Sequence, residues 1–320
     1  MKAIAQNAYG TTEMLSYRDV PTPEVGQDGV LVRVRAAGVD PSVWHFMTGE
    51  PRIARLALGP RKPRERVRGW DVAGIVEAVG PQVTEFRPGD EVFGTAPGSF
   101  AEFACAPGAK LQRKPVNLSF EQAAALPISG MTALIGLRDA GRIESGQRVL
   151  VIGAAGGVGH LAVQLAKHFG TEVTAVCSGG SAEFVTDLGA DHVIDYTSEE
   201  LSGRYDLILD MAGNRPLPLL RSLLSDSGAL VLGGGENGGR WFGGLGRSAA
   251  AQLLSPFVRQ RLRALLSLPT PESLRAVTEL ATAGALAPRV TRTFALPDAA
   301  LAIDHLAAGH SRGKSVIVVG

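Results

Sequence analysis

Two cysteines in 320 residues, Cys105 and Cys177, exclude a disulfide framework and any four-thiolate metal lobe. Both sit inside apolar, strand-like runs and read as buried, reduced thiols. The chain also lacks an excess of either charge. Its 32 basic and 31 acidic residues leave a net +1, so no field exists to gather nucleic acid or an acidic membrane surface. Long apolar runs are missing too. The longest uncharged stretch, Gln122 to Leu137, is interrupted by Pro127, Ser129 and Gly130 and falls short of the roughly 20 apolar residues of a spanning helix. The opening MKAIAQNAYG alternates like a strand and offers no secretory apolar segment. A cytoplasmic protein without stable membrane insertion is the expectation, and 45% apolar residues are enough for two cores.

What is present divides into two textures. Up to about residue 120, short alternating or β-branched runs bounded by Gly, Pro and Asp predict a small β-rich domain: Gly29 to Ala37, Val72 to Val79, Gly89 to Gly94 and Phe100 to Ala106. At Ser119 the pattern changes to a helix start, with Ser119 as N-cap and Glu121 and Gln122 in the first turn. Beyond it, apolar strands alternate with helical stretches. Strands are expected at Arg148 to Gly153, Glu172 to Cys177, His192 to Tyr196, Asp206 to Ala212 and Ala229 to Gly235, with helices at Gly157 to Phe169 and Ala182 to Leu188. Continuously apolar strands in βαβ alternation imply an α/β, doubly wound parallel sheet covered on both faces. A strand near Arg289 to Phe294, a helix after Pro297 and a terminal strand at Lys314 to Val319 return to the β-rich texture. The expected domains are therefore residues 1–120 with 289–320, and residues 121–288.

The segment most informative about chemistry is GQRVLVIGAAGGVGHLAVQLAK, Gly146 to Lys167. A buried strand runs into Gly153, Ala154, Ala155, Gly156, Gly157, Val158 and Gly159 and leaves as an amphipathic helix. Small residues keep side chains out of the turn. Gly156 lets the backbone approach a pyrophosphate, Gly159 lets helix and strand pack closely, and the helix N-terminus offers free N–H groups and the positive end of its dipole. At the end of the second strand, where a carboxylate would hold a ribose 2′-hydroxyl, Cys177 is followed by Ser178, Gly179, Gly180 and Ser181. With no carboxylate to repel a 2′-phosphate, and with Ser178, Ser181 and the amides about Gly179 able to donate, NADP(H) is favoured, NAD(H) remaining open. No Lys or Arg occurs between Lys167 and Arg204, so a basic partner for that phosphate has to come from elsewhere.

These residues resemble the zinc-independent quinone oxidoreductase branch of the medium-chain dehydrogenase/reductase superfamily. Gly146 to Lys167 matches its signature without a gap, including Gln164 and Lys167. The likeness extends through Arg35 to Gly49, Gly69 to Gly74, FRPGDEVFG, PISGMTAL, VCSGGSAEFVTDLGADHVIDY and GKSVIVV. It implies a GroES-like catalytic domain and a Rossmann domain with the active site in the cleft between them, NADPH reducing a quinone or an α,β-unsaturated carbonyl, and a homodimer. By position, the resemblance places Asp40 where an asparagine lies near the nicotinamide ribose, His45 where a tyrosine lines the substrate pocket, and Thr132 at the nicotinamide. Tyr196 stands at a 2′-phosphate contact, Ser181 where a basic residue is frequent, and Gly233 at a strand end beside the cofactor.

Zinc-dependent relatives need an early cysteine, a His-Glu pair and four further cysteines. Here Asp40-Pro41-Ser42 and Gly69-Trp70-Asp71 stand in the first two places. Without a Lewis acid, conjugate reduction is the easier chemistry, since the charge that develops on the carbonyl oxygen needs only hydrogen-bond donors and a proton. His45 and Thr132 are the candidate donors. His160, His168 and His192 are expected on a loop or helix surface, and Arg61 to Arg68 as a solvated loop. Arg247 to Leu268 is expected as helix around Pro256, forming a cap or dimer surface. A reductase of simple aldehydes or ketones and a non-catalytic NADPH-binding redox sensor are the competing readings.

Overall fold

The computed structural model describes residues 1–234, 239–265, 269–309 and 311–320. The chain divides into two compact units, Met1–Ser129 with Pro269–Gly320, and Gly130–Leu268.

The first unit is built on β3 (Gly29–Val39), whose alternation turns Val30, Val32 and Val34 into the core and leaves Arg33 and Arg35 exposed. Before it, β1 (Lys2–Ala5) and β2 (Ser16–Asp19) form an antiparallel pair. After it come α1 (Pro41–Thr48), α2 (Arg55–Leu58), β4 (Asp71–Val79), β5 (Glu91–Thr95), β6 (Phe103–Pro107), β7 (Leu111–Arg113), α3 (Phe120–Ala124) and α4 (Pro127–Leu134), which runs on into the second unit. The later segment adds α10 (Pro271–Thr282), β14 (Val290–Ala295), α11 (Ala299–Ala307) and β15 (Lys314–Val318). The main sheet runs β14-β15-β3-β4-β5-β7, with β6 paired to β3. Terminal β15 lies antiparallel to β3, Ser315 opposite Val39 and Val318 opposite Ala36. The β-rich unit is thus discontinuous in sequence. Its core joins Val32, Val72, Val92, Phe100, Leu111, Ile303 and Ile317.

Ser119 caps α3 in a reciprocal box with Gln122. That helix buries Ala123 and Ala124 and packs on β3, β4 and β5, while α10 packs on β7. Residues 121–129 and 269–288 therefore lie with the first unit, where the sequence pattern alone had assigned them to the second. An amphipathic helix after a sheet signals a boundary equally well whichever sheet it covers.

In the second unit all strands are parallel: β8 (Arg148–Ile152), β9 (Glu172–Cys177), β10 (His192–Asp195), β11 (Tyr205–Asp210), β12 (Leu224–Leu232) and β13 (Arg261–Ala264), in the order β10-β9-β8-β11-β12-β13. Between them run α5 (Gly159–His168), α6 (Ala182–Asp187), α7 (Leu217–Ser222), α8 (Gly239–Phe242) and α9 (Leu245–Leu254). The direction of travel reverses between β8 and β11, and that switch point is where a doubly wound sheet opens a crevice at its C-terminal edge. Two expectations need correction. The strand anticipated from Ala229 begins at Leu224 and ends at Leu232, Gly235 lying outside the described residues. The anticipated helix about Pro256 stops there, because the ring denies the next turn a donor; after a short 3-10 turn, Arg261–Ala264 becomes the sixth strand. Residues 266–268 of that segment lie outside the described residues.

Two charged side chains lie deep in the first unit. Asp71, at the start of β4, is 0% exposed and Lys314, at the start of β15, is 2% exposed. The lysine Nζ lies 3.8 Å from Asp71 Oδ2 and donates to Ser129 Oγ at 3.1 Å, while Asp71 Oδ1 accepts the Ile128 amide at 3.0 Å. Burial pushes the Asp71 carboxyl up to about 8, Lys314 opposing the rise and Asp40 adding to it. A carboxyl raised on folding binds more protons in the folded chain. Its contribution to stability is complete below the unfolded value and is lost as pH rises through the folded one. Between about pH 4 and pH 8, wild-type stability should fall by up to about 1.4 kcal/mol per pH unit from this group. Calorimetric melting of wild type and Asp71→Asn over that range should show the slope in the first and its loss in the second; parallel curves would refute it.

Candidate functional site

The turn between β8 and α5 sits at the switch point of the parallel sheet. Gly153 takes a left-handed φ of 80°, and its amide and that of Ala154 both donate to the Val176 carbonyl at 3.1 Å. The chain then crosses over its own start. A Cβ on Gly159 would lie 2.0 Å from the Gly153 oxygen and 2.8 Å from Ala154 Cα, so no other residue fits there. A Cβ on Gly156 would meet that same oxygen at 3.3 Å, a contact a small shift relieves. The amides of Ala155, Gly157 and Val158 donate to no backbone carbonyl among the described residues. Open amides, a helix N-terminus and the absence of side-chain bulk together fit a pyrophosphate.

His160 is buried, against the expectation of a surface position. Its Nδ1 donates to the Gly156 carbonyl at 3.0 Å, which satisfies the ring locally and lets α5 lay that face on β8 and β9. His168 and His192 are exposed, and His192 pairs with Glu172 at 2.8 Å. Cys177 is buried and Cys105, expected to be buried, is half-exposed beside Gly26 and Gly29; burial raises both thiols.

At the end of β9, Ser178 is half-buried, Gly179 and Gly180 are exposed, and Ser181 turns inward. The structure adds two groups here that sequence reasoning did not find. Asp195, closing β10, lies close enough that a Cβ on Gly179 would touch its Oδ2 at 2.4 Å. Its carboxyl is held low by the Thr197 amide and hydroxyl, and the Gly179 amide donates to it as well. Arg215, in the loop after β11, places its guanidinium 6.0 Å from the centre of the exposed Tyr196 ring, and its Nε is buried without a partner. A cation thus stands at this edge, although none occurs between Lys167 and Arg204. Pairing across parallel strands brings it in from the loop after β11, beyond the span in which a sequence scan looks for it.

Gly233 follows β12 and donates to the Asp210 carbonyl at 2.8 Å. Asp210, fully buried at the end of β11, accepts the amides of Ala212 and Gly213 and pairs with Arg247 of α9 at 2.5 Å. Thr132 is half-buried on α4. In the first unit, Asp40 is the N-cap of α1: its Oδ1 accepts the Ser42 amide at 2.8 Å and the Ser42 hydroxyl at 2.5 Å, and Oδ2 is buried without a partner. His45 rides the same helix, its Nδ1 donating to the Glu50 carbonyl at 2.8 Å. A neutral ring held in that way presents Nε2 as an acceptor.

A glycine turn at the switch point of a six-stranded parallel sheet, together with a separate β-rich unit, defines a dehydrogenase-type protein with a Rossmann domain and a GroES-like domain. Residues 26–116 match the alcohol dehydrogenase GroES-like domain and residues 188–317 the zinc-binding dehydrogenase family. The chain is 39% identical to the 2-methylene-furan-3-one reductase of Solanum lycopersicum over 67% of its own length and 57% of that protein's. It is 31% identical to the chloroplast envelope quinone oxidoreductase homolog of Arabidopsis thaliana, covering 99% and 98% of the two chains. The solved quinone oxidoreductase of Coxiella burnetii superposes with a TM-score of 0.87 at 33% identity, over 100% and 99% of the chains. The chain belongs to the quinone-oxidoreductase-like branch of the medium-chain dehydrogenase/reductase superfamily, and is an NAD(P)H-dependent oxidoreductase.

The geometry of the turn separates two kinds of substitution. Gly159→Ala forces backbone against backbone and should lower unfolding stability by about 3 kcal/mol. Gly156→Ala should leave the melting temperature close to wild type and weaken NADPH binding about tenfold, equivalent to about 1.4 kcal/mol. Thermal melts and calorimetric titration check both. Equal stability losses from the two variants would contradict the crossing described.

Proposed function

We propose that this chain is an NADPH-dependent reductase of quinones and α,β-unsaturated carbonyls that works without zinc. The observation that carries the reading is the glycine turn, whose crossing leaves open amides at the sheet's switch point. Preference for the phosphorylated cofactor is supported by Arg215 beside Tyr196, a cation with an unused Nε–H close to the expected 2′-phosphate position. Asp195 is the opposing feature, a carboxylate that already receives the Gly179 amide, and it favours NADH as the second reading. The acceptor class follows what relatives of this branch are named for, a methylene-furanone reductase and quinone oxidoreductases.

Metal independence is supported by the donor set. Asp40 spends an oxygen capping α1, Asp71 spends one on the Ile128 amide, and no group of three or more His, Cys, Asp or Glu able to hold a metal occurs among the described residues. When bound, the reduced nicotinamide supplies a hydride. The protein's part is to position the acceptor and to stabilise the oxygen on which charge develops. Thr132 offers a hydroxyl for that oxygen. His45 donates from Nε2 only as the imidazolium, because its Nδ1–H is committed to Glu50, and Asp40 sets its orientation by starting the helix it rides on. A homodimer fits the strand at the sheet edge, β13, near which Leu253 and Phe257 are 75% and 85% exposed. No helix among the described residues is long and apolar enough to cross a membrane, and two unpaired thiols suit the cytoplasm.

Oxidation of NADPH and of NADH against a quinone, an enone and a simple aldehyde, with and without a chelator, tests the reading. Chelator-insensitive use of NADPH with the first two acceptors is expected. No oxidation by any acceptor in protein that binds NADPH would replace it with the sensor reading. Arg215→Ala should raise the Kd for NADPH about tenfold and leave that for NADH unchanged, a loss of about 1.4 kcal/mol; equal effects on both would remove Arg215 from the phosphate site. His45→Gln should lower kcat. Unchanged turnover would end its role.

A further inference from the structure

A net charge close to zero conceals one uneven segment. Seven of the 32 basic residues and one of the 31 acidic residues fall within residues 52–68, so this stretch is net +6 and the remainder of the chain net −5. Its second half is the stretch expected as a solvated loop, Arg61 to Arg68. The loop is exposed at Arg61, Lys62, Arg64, Glu65 and Arg66, but Pro63 is buried and Arg68 turns inward, 3% exposed. Arg68 Nη2 donates to the Glu65 carbonyl and the Glu65 charge lies nearby, so that cation is answered within the first unit. The other four are not. Arg61, Lys62, Arg64 and Arg66 form no ion pair among the described residues, and Glu65 is the one carboxylate in the loop.

The backbone that carries these cations is tied to the body of the unit. Arg55 of α2 donates from Nε to the Gly49 carbonyl and from Nη2 to the Thr48 carbonyl, both at 3.0 Å, and its guanidinium lies 4.5 Å from the centre of the Tyr9 ring. The Tyr9 hydroxyl donates to the Gly59 carbonyl at 2.8 Å, and the Arg64 amide closes the loop onto the Leu58 carbonyl at 2.9 Å. With Arg55 turned inward, the side of the helical turn away from it faces out. Ile53, Leu56 and Ala57, three and four positions apart, share that side, and all are exposed, Ile53 at 41% and Leu56 at 76%. Two large aliphatic side chains thus stand in water one short loop away from four cations.

Each half of this surface narrows what it can meet. A nucleic-acid backbone would match the cations but leave Ile53 and Leu56 in water, and no aromatic side chain occurs in residues 52–68 to stack on a base. An apolar protein face would cover the aliphatic pair and leave the cations unmatched. An anionic bilayer surface matches both, because its headgroup phosphates attract Lys and Arg and its acyl boundary accepts Leu and Ile. We propose that the surface formed by residues 52–66 docks reversibly on an anionic membrane, with Arg61, Lys62, Arg64 and Arg66 at the headgroups and Ile53 and Leu56 reaching the acyl boundary. Neither half suffices alone: exposed cations are screened by salt and two aliphatic side chains bury little area, so binding takes both signals together. The contact is peripheral, since no helix among the described residues is long and apolar enough to cross a membrane. Docking makes no use of a cofactor and is independent of the reductase reading.

Co-sedimentation of the whole protein with vesicles tests the docking, one set of phosphatidylcholine alone and one containing about 30% phosphatidylglycerol. At low salt the protein should partition onto the anionic vesicles about tenfold or more strongly than onto the neutral ones, and about 0.5 M salt should remove most of that preference. Lys62→Glu combined with Arg64→Glu should abolish the preference. Leu56→Ser, which leaves the charge unchanged, should weaken capture by the anionic vesicles about fivefold. All three side chains are exposed, so both variants should melt with wild type. Equal binding to the two vesicle types, no binding to either at low salt, or undiminished binding in either variant would each overturn the proposal. Binding of a DNA duplex that Leu56→Ser does not weaken, with no capture by anionic vesicles, would overturn it in favour of a polyanion.

Discussion

The carbonyl oxygen of Gly153 occupies the place where a side-chain carbon on Gly159 would have to be, and the second unit is arranged around that contact. A helix that starts this close to the strand feeding it must point its free amides over the strand ends. The left-handed turn at Gly153 and the two hydrogen bonds from the Gly153 and Ala154 amides to the Val176 carbonyl hold that direction against the neighbouring strand. His160 then locks the first helical turn by donating back to Gly156. Because β8 is the first strand on one side of the switch point and β11 the first on the other, everything brought to that edge converges on the same crevice. That includes Gly179, Tyr196, Asp210 and Gly233. The open groups of the turn are backbone amides, so its requirements are for small residues and exact crossing geometry, while the charged side chains at its rim, Arg215 and Asp195, come from other segments.

That division explains what was legible beforehand. Small residues at fixed spacing between an apolar strand and an amphipathic helix are a local pattern, and local patterns survive in sequence. So do alternation in β3, the cap at Ser119 and the return of β14 and β15 to the first sheet. What sequence did not show is set by pairing between distant segments. Arg215 meets Tyr196 because β11 and β10 deliver both to one edge of the sheet, and Asp195 reaches Gly179 because β10 lies beside β9. The pattern of Arg261 to Ala264 is compatible with helix and strand alike, and only the open edge of β12 decides it. Histidine and arginine misled for a related reason. Polar side chains read as exposed, yet His160 and Arg68 are buried where a backbone carbonyl one turn or a short loop away accepts from them.

Buried charge is handled in three ways in this chain. Asp210 has Arg247 and two backbone amides, a pairing that ties α9 to the end of β11. Asp71 and Lys314 are further apart, 3.8 Å, and share their environment with Asp40, whose Oδ2 is also buried without a partner. Two carboxylates that feel each other in a dry interior repel. The raised Asp71 resolves this by holding a proton near neutrality, which removes its repulsion with Asp40. Arg68 keeps its charge, its Nη2 donating to the Glu65 carbonyl and the Glu65 charge nearby opposing the effect of burial.

A carboxyl can neutralise itself when buried, and a guanidinium cannot, so a buried arginine depends on acceptors and counter-charge supplied by its surroundings. Asp71 answers burial with a proton and Asp210 with an ion pair and two amides. Arg68 answers it with the Glu65 backbone carbonyl and the charge of the same residue, three positions back along the chain. In each case the complement comes from the folded chain itself, which is why these charges are compatible with a dry interior.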